Sequence, residues 1–114
     1  MIFALEHRFY GESMPFGKES MEQKNLRFLN SEQGLSDLAY FIQFITKNKK
    51  HGVDSKNKWI TVGGSYAGAM SAWFRSKYPH LTVGAIGSSG VVLAVEDFSA
   101  FDDQIYASAA KNGV

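Results

Sequence analysis

The six residues Gly63-Gly64-Ser65-Tyr66-Ala67-Gly68 have the types and spacing for nucleophilic chemistry. A serine nucleophile must present its hydroxyl from a backbone that turns almost back on itself. Small residues two before and two after the serine permit that turn, and Gly63 and Ala67 stand there. The position between strand and helix puts Ser65 at a helix N-terminus, where orphan N–H groups and the helix dipole favour a developing oxyanion. The backbone N–H of Tyr66 is then one oxyanion donor. Its side chain either lines a pocket or packs in the core. The full G-x-S-x-G pattern asks for glycine where this chain has Ala67. The plainer reading is a glycine-rich strand-to-helix turn that cradles phosphate. It lacks the lysine of a P-loop and the glycine spacing of a dinucleotide site.

The second stretch is Glu6-His7-Arg8-Phe9-Tyr10-Gly11-Glu12-Ser13. It carries more charge and aromatic surface than a plain connection needs. Glu6, Arg8 and Glu12 are expected either to form an ion-pair network that shapes the floor of a site, with His7 and Tyr10 beside them, or to be a solvated loop. His7 precedes the serine, whereas the base of this fold follows its nucleophile along the chain, so a structural histidine is expected. His80 reads as a helix-end residue and His51 as part of a polar loop. Asp37, Asp97, Asp102 and Asp103 read as helix residues, and none is assigned as a triad acid. There is no cysteine and no cluster with metal-ligand spacing, so neither a metal nor a cofactor is expected.

The elements that must position these residues follow from periodicity. Met1–Leu5 is a short apolar run that reads as a buried strand, and 6–17 is a loop broken by two glycines and a proline. Residues 18–30 are polar and irregular. Asn30 is a helix cap with Gln33 in a capping-box-like place, and Leu35, Leu38, Ala39, Ile42 and Ile45 follow at helical spacing. Gly34 falls in the first turn of this helix, where glycine costs less than in mid-helix. After a polar loop over 51–58, Trp59–Val62 reads as a strand and Ala69–Lys77 as a helix that Pro79 ends. Val83–Ile86 is a third strand, with the small-residue turn Gly87-Ser88-Ser89-Gly90 behind it. Phe98, Phe101, Ile105 and Tyr106 suggest a last amphipathic helix. Alternating strands and helices predict an α/β architecture with parallel pairing and right-handed crossovers. Sites in such sheets lie beyond the carboxyl ends of the strands. The 6–17 loop, the 63–68 turn and the 87–90 turn all fall on that edge.

Taken together, these blocks resemble the prolylcarboxypeptidase family of serine peptidases, which includes dipeptidyl peptidase II and thymus-specific serine protease. The resemblance rests on Glu6–Ser13, Leu29–Asp37, Gly63–Gly68, Trp73–Leu81 and Gly87–Gly90, and covers residues 1–106. Val91 departs from it, at a place where the family often has proline. The resemblance implies an α/β-hydrolase core over 1–95 and the start of a helical insertion, or lid, over 96–114. It implies a serine exopeptidase that prefers proline or another small residue beside the cleaved bond and works in lysosomes or outside cells. Its partner is a peptide substrate, and a homodimer is open for the full-length protein. The triad order Ser, Asp, His and the position of His80 imply that the acid and base lie outside these residues. The chain is therefore expected to be an internal fragment. The alternatives are an esterase or lipase using the same turn, and a non-catalytic relative that binds peptides.

Composition sets outer bounds. The 114 residues suffice for about one small domain, and a hydrophobic share of 45% gives a globular core. The formal charge of +1 offers no global field for nucleic acid or an acidic membrane. The lysines at 47, 49, 50, 56 and 58 read as solvated surface. No apolar run reaches signal-peptide or membrane-span length, and no targeting signal is legible.

Overall fold

Asn30 opens the first long helix as a true cap: its side-chain oxygen accepts the Gln33 N–H at 2.9 Å. The capping box is only half formed, because Gln33 turns its own side-chain oxygen to Arg8. The computed structural model describes residues 1–113, so Val114, the last residue of the expected lid segment, lies outside the described residues. In chain order the elements are the one-turn helix α1 (Gln23–Leu26), α2 (Ser31–Lys47), β1 (Ile60–Gly64), α3 (Tyr66–Lys77), β2 (Gly84–Ser88) and α4 (Ser99–Lys111). Single 3-10 turns stand at Gly17–Glu19 and Lys50–Gly52.

β1 and β2 pair in parallel, with Ile60 opposite Gly84 and Gly64 opposite Ser88, and α3 is the crossover between them. This is a mixed α/β arrangement. Along β1 the inward positions are Thr61 and Gly63, small enough for α3 to lie close. The Ser71 hydroxyl of α3 donates to the Thr61 hydroxyl at 2.9 Å, which satisfies polar groups at that contact. The other face of the strand carries Ile60 and Val62, both exposed. The core lies between α2 and α3. Leu35, Ala39 and Ile42 pack against the fully buried Phe74, with Met70, Trp73, Tyr78 and Leu81 around them.

Three expectations need correction. Met1–Leu5 is not a strand: a strand exists only through a partner's ladder, and β1 pairs with β2 alone among the described residues. The segment instead lays Phe3 on Trp59, with ring centres 5.4 Å apart, and edge-on to Phe41. α3 starts at Tyr66, three residues before the expected Ala69, because the tight turn spends only Ser65 outside helical geometry. The polar 18–30 stretch contains α1 and a 3-10 turn rather than being wholly irregular. The last helix forms as expected, but Phe98, Phe101, Ile105 and Tyr106 are exposed.

Candidate active site

Ser65 stands alone between β1 and α3, with φ 56° and ψ −124°. A non-glycine residue there is strained by on the order of 1–3 kcal/mol and persists only where its surroundings hold it. Four contacts do so. The Ser65 N–H donates to the Ser88 carbonyl at the end of β2 at 3.0 Å, and the Ser65 carbonyl accepts from the Ala69 N–H at 3.0 Å. At Gly63 the backbone of Ala67 comes so close that any β-carbon would overlap its carbonyl group. Gly68 is pressed against the other strand, where a β-carbon would lie 2.7 Å from the Ser88 oxygen. Gly64 is different, with open space down to 3.9 Å.

This geometry explains Ala67. Residue 67 is in the first turn of α3, with helical backbone, so glycine has no conformational task there. The demand for smallness falls on Gly63, across the turn. Because the first intrahelical bond is made by Ala69, the N–H groups of Tyr66, Ala67 and Gly68 form the open end of the helix. The Ser65 hydroxyl therefore sits at the positive end of a 12-residue dipole. An oxyanion formed beside Ser65 can be met by the N–H of Tyr66, the first of these three.

The expected floor residues are brought together, but not as one ion-pair network. Glu6 does not pair with Arg8. Its carboxylate accepts the backbone N–H groups of Glu12 and Ser13 at 3.0 and 2.9 Å, closing the 6–13 loop on itself. The Ser13 hydroxyl chiefly, and then the N–H groups of Ser13 and Glu12, hold its pKa below the ordinary carboxylate value, against some desolvation. Arg8 reaches α2. Its guanidinium forks onto Asp37 at 2.5 and 2.6 Å, and also donates to the Gln33 side chain and the Phe28 carbonyl. Asp37 hydrogen bonding raises the Arg8 pKa further, opposed by desolvation and aided by the charge of Asp37. A bidentate guanidinium–carboxylate pair fixes orientation as well as position, so the loop is locked to the helix.

His7 is held within this bracket. Its Nδ1 lies 2.8 Å from the Arg8 carbonyl and its Nε2 3.2 Å from the Tyr66 hydroxyl. Tyr10 packs edge-on to the imidazole at 5.3 Å. The Tyr66 hydroxyl also meets the Ser31 hydroxyl at 3.1 Å. His51 and His80 are engaged elsewhere, against the rings of Phe3 and Tyr78. The loop, the nucleophile turn and the 87–90 turn thus meet at one edge, as expected.

Sequence reasoning missed Ser31, Gly34, Asp37 and Ser88. The signal for Asp37 was its helical spacing from Gln33, one turn away on the same face. Among the described residues there is no group of three His, Cys, Asp or Glu fit to hold a metal ion. No helix among them is long and apolar enough to cross a membrane.

The family model described as serine carboxypeptidase S28 matches residues 1–114. The chain is 49% identical over 115 residues to a protein of Arabidopsis thaliana named probable serine protease EDA2. It is 46% identical over 98 residues to the lysosomal Pro-X carboxypeptidase of Homo sapiens, and 41% over 105 residues to the thymus-specific serine protease of Homo sapiens. These matches take in 96%, 85% and 92% of this chain, but only 23%, 19% and 20% of the relatives. The chain spans about a fifth of the length of the curated relatives it matches.

Proposed function

We propose that this chain, which belongs to the serine carboxypeptidase S28 family, carries the nucleophile of a serine exopeptidase, and that the nucleophile is Ser65. The observation that carries the reading is the backbone of Ser65: a strained serine at a strand end, tied to the neighbouring strand and opening onto a helix N-terminus. In this reading the Ser65 oxygen attacks the scissile carbonyl carbon while its proton passes to a histidine. The carbonyl oxygen becomes an oxyanion and takes the Tyr66 N–H. The amine leaves with that proton, and water then hydrolyses the acyl-enzyme. The histidine and the acid that orients it are supplied by polypeptide outside these 114 residues. In support, the contacts of His7, His51 and His80 point them to Tyr66, Phe3 and Tyr78.

Carboxypeptidase action beside proline is favoured over dipeptidyl aminopeptidase action by the family's description and by the name of the human relative. The same name supports a lysosomal setting for the full-length protein. The residues over 1–95 belong to the catalytic core, and those from 96 begin a covering segment. The test is labelling of the full-length protein with a fluorophosphonate, with the modified peptide identified by mass spectrometry. Label on Ser65, abolished in Ser65→Ala together with hydrolysis of a Pro-X peptide, supports the reading. Label on another serine overturns it.

A further inference from the structure

The direction of every hydrogen bond around Tyr66 follows from one carbonyl. The Arg8 oxygen can only accept, so the His7 Nδ1 that faces it at 2.8 Å carries the proton. In the tautomer with the proton on Nδ1, Nε2 is the acceptor, and the Tyr66 hydroxyl donates to it at 3.2 Å. The Tyr66 oxygen is left to accept from the Ser31 hydroxyl at 3.1 Å. Two partners from separate segments thus hold the phenol at the first residue after Ser65.

An independent feature shows that the helix is shaped for this arrangement. A β-carbon at Gly34 would stand 2.7 Å from the His7 Nε2 and 3.1 Å from the Met70 methyl. The absence of a side chain in the first turn of α2 is what seats the imidazole. The Arg8 carbonyl is itself steadied, because the Arg8 side chain is clamped to Asp37 and Gln33 on the same helix. Tyr66 stays 37% exposed, and Tyr10, edge-on to the same imidazole, 55%. The result is a part-exposed aromatic wall beside Ser65, ordered before any ligand arrives.

Resting on the reading of Ser65 as nucleophile, we infer that His7 is the positioning residue of Tyr66, and that the fixed Tyr66 ring selects a compact cyclic residue next to the scissile bond. A flat, immobile ring face suits a pyrrolidine, which has no side-chain rotamers to lose. It suits a long flexible side chain less well, because that side chain must be ordered on binding.

The experiment uses the full-length protein and two peptides that differ only in proline or leucine beside the cleaved bond. Tyr66→Phe removes one oxygen and keeps the ring and the backbone N–H. His7→Ala removes the acceptor, and His7→Gln restores one through its amide oxygen. The expected result is a fall of roughly tenfold in the proline-over-leucine ratio of kcat/KM for Tyr66→Phe and for His7→Ala, carried mostly by KM. The double variant falls no further than either single one, and His7→Gln recovers most of the loss. Unchanged discrimination in Tyr66→Phe, with label still lost in Ser65→Ala, overturns this inference alone. A His7→Ala loss that adds in full to that of Tyr66→Phe, or that His7→Gln fails to restore, makes His7 a packing residue and also overturns it. Label retained in Ser65→Ala overturns both this inference and the reading beneath it.

Discussion

Adding one methyl group at Gly63 should abolish labelling of Ser65, whereas the same change at Gly64 should spare it. At Gly63 the new β-carbon would overlap the carbonyl carbon and oxygen of Ala67 and lie 2.8 Å from the Gly68 nitrogen. All three atoms are backbone at the start of α3, so no rotamer change relieves the clash. Overpacking a site of flexible side chains costs about 1–3 kcal/mol, and a clash with fixed backbone lies at or above the top of that range. The cheapest escape is to open the turn. That releases the strain in Ser65, but it also moves the hydroxyl off the end of α3 and breaks the 3.0 Å bond from Ser65 to Ser88. At Gly64 the nearest atom is the Ser88 oxygen at 3.9 Å and φ lies outside the left-handed region, so Gly64→Ala should stay within about 0.5 kcal/mol of wild type. The assay is the rate of fluorophosphonate labelling of the full-length protein, with thermal unfolding measured in parallel. Gly63→Ala labelled at the wild-type rate would refute the argument that this tight turn presents the nucleophile.

Other consequences follow from the same contacts. Arg8→Lys should cost about 1–2 kcal/mol in thermal unfolding, because an ammonium cannot reproduce the fork onto Asp37 while also reaching Gln33 and the Phe28 carbonyl. Asn30→Ala should cost about 1 kcal/mol by leaving the Gln33 N–H uncapped. Phe74→Ala, at a fully buried site, should cost about 3–5 kcal/mol, and the protein should unfold well below the wild-type temperature. For Glu6 the folded pKa lies below the unfolded one, so its contribution is present above the unfolded value and fades as pH falls through the folded value. Glu6→Gln should therefore lower the melting temperature at neutral pH, and the gap to wild type should close below about pH 4.

How much of this was legible depended on whether a feature is local. The cap at Asn30, the apolar stripe of α2 and the strand before Ser65 are written in adjacent residues, and they form as expected except that the strand starts at Ile60 and takes in Gly63 and Gly64, which were expected in the turn. Met1–Leu5 has the same apolar character as β1, yet it forms no ladder, because pairing depends on a neighbour that local sequence does not specify. The early start of α3 was hidden for another reason. Tyr66, Ala67 and Gly68 look like turn residues by composition, but their backbone is already helical, and the close approaches at the turn fall on Gly63 and Gly68. Ala67 departed from the expected motif for the same reason and without structural consequence.

The clasp on Tyr66 was least legible, since it joins residues 7, 31 and 66 through a tautomer that only the Arg8 carbonyl decides. One trace of it does stand in the sequence. A glycine inside a helix costs up to about 1 kcal/mol relative to alanine and needs a packing reason. Gly34 could be excused by its place in the first turn, and that excuse conceals the reason. The helix gives up a side chain at the point where the imidazole of His7 must enter. Gly34→Ala is therefore a sharper probe than its small size suggests. Helix propensity alone predicts stabilisation. The 2.7 Å approach to Nε2 predicts a displaced His7, a released Tyr66 and weaker discrimination for proline, with Ser65 still open to label. A more stable Gly34→Ala protein with undiminished preference for proline would show that the helix does not shape the site through His7.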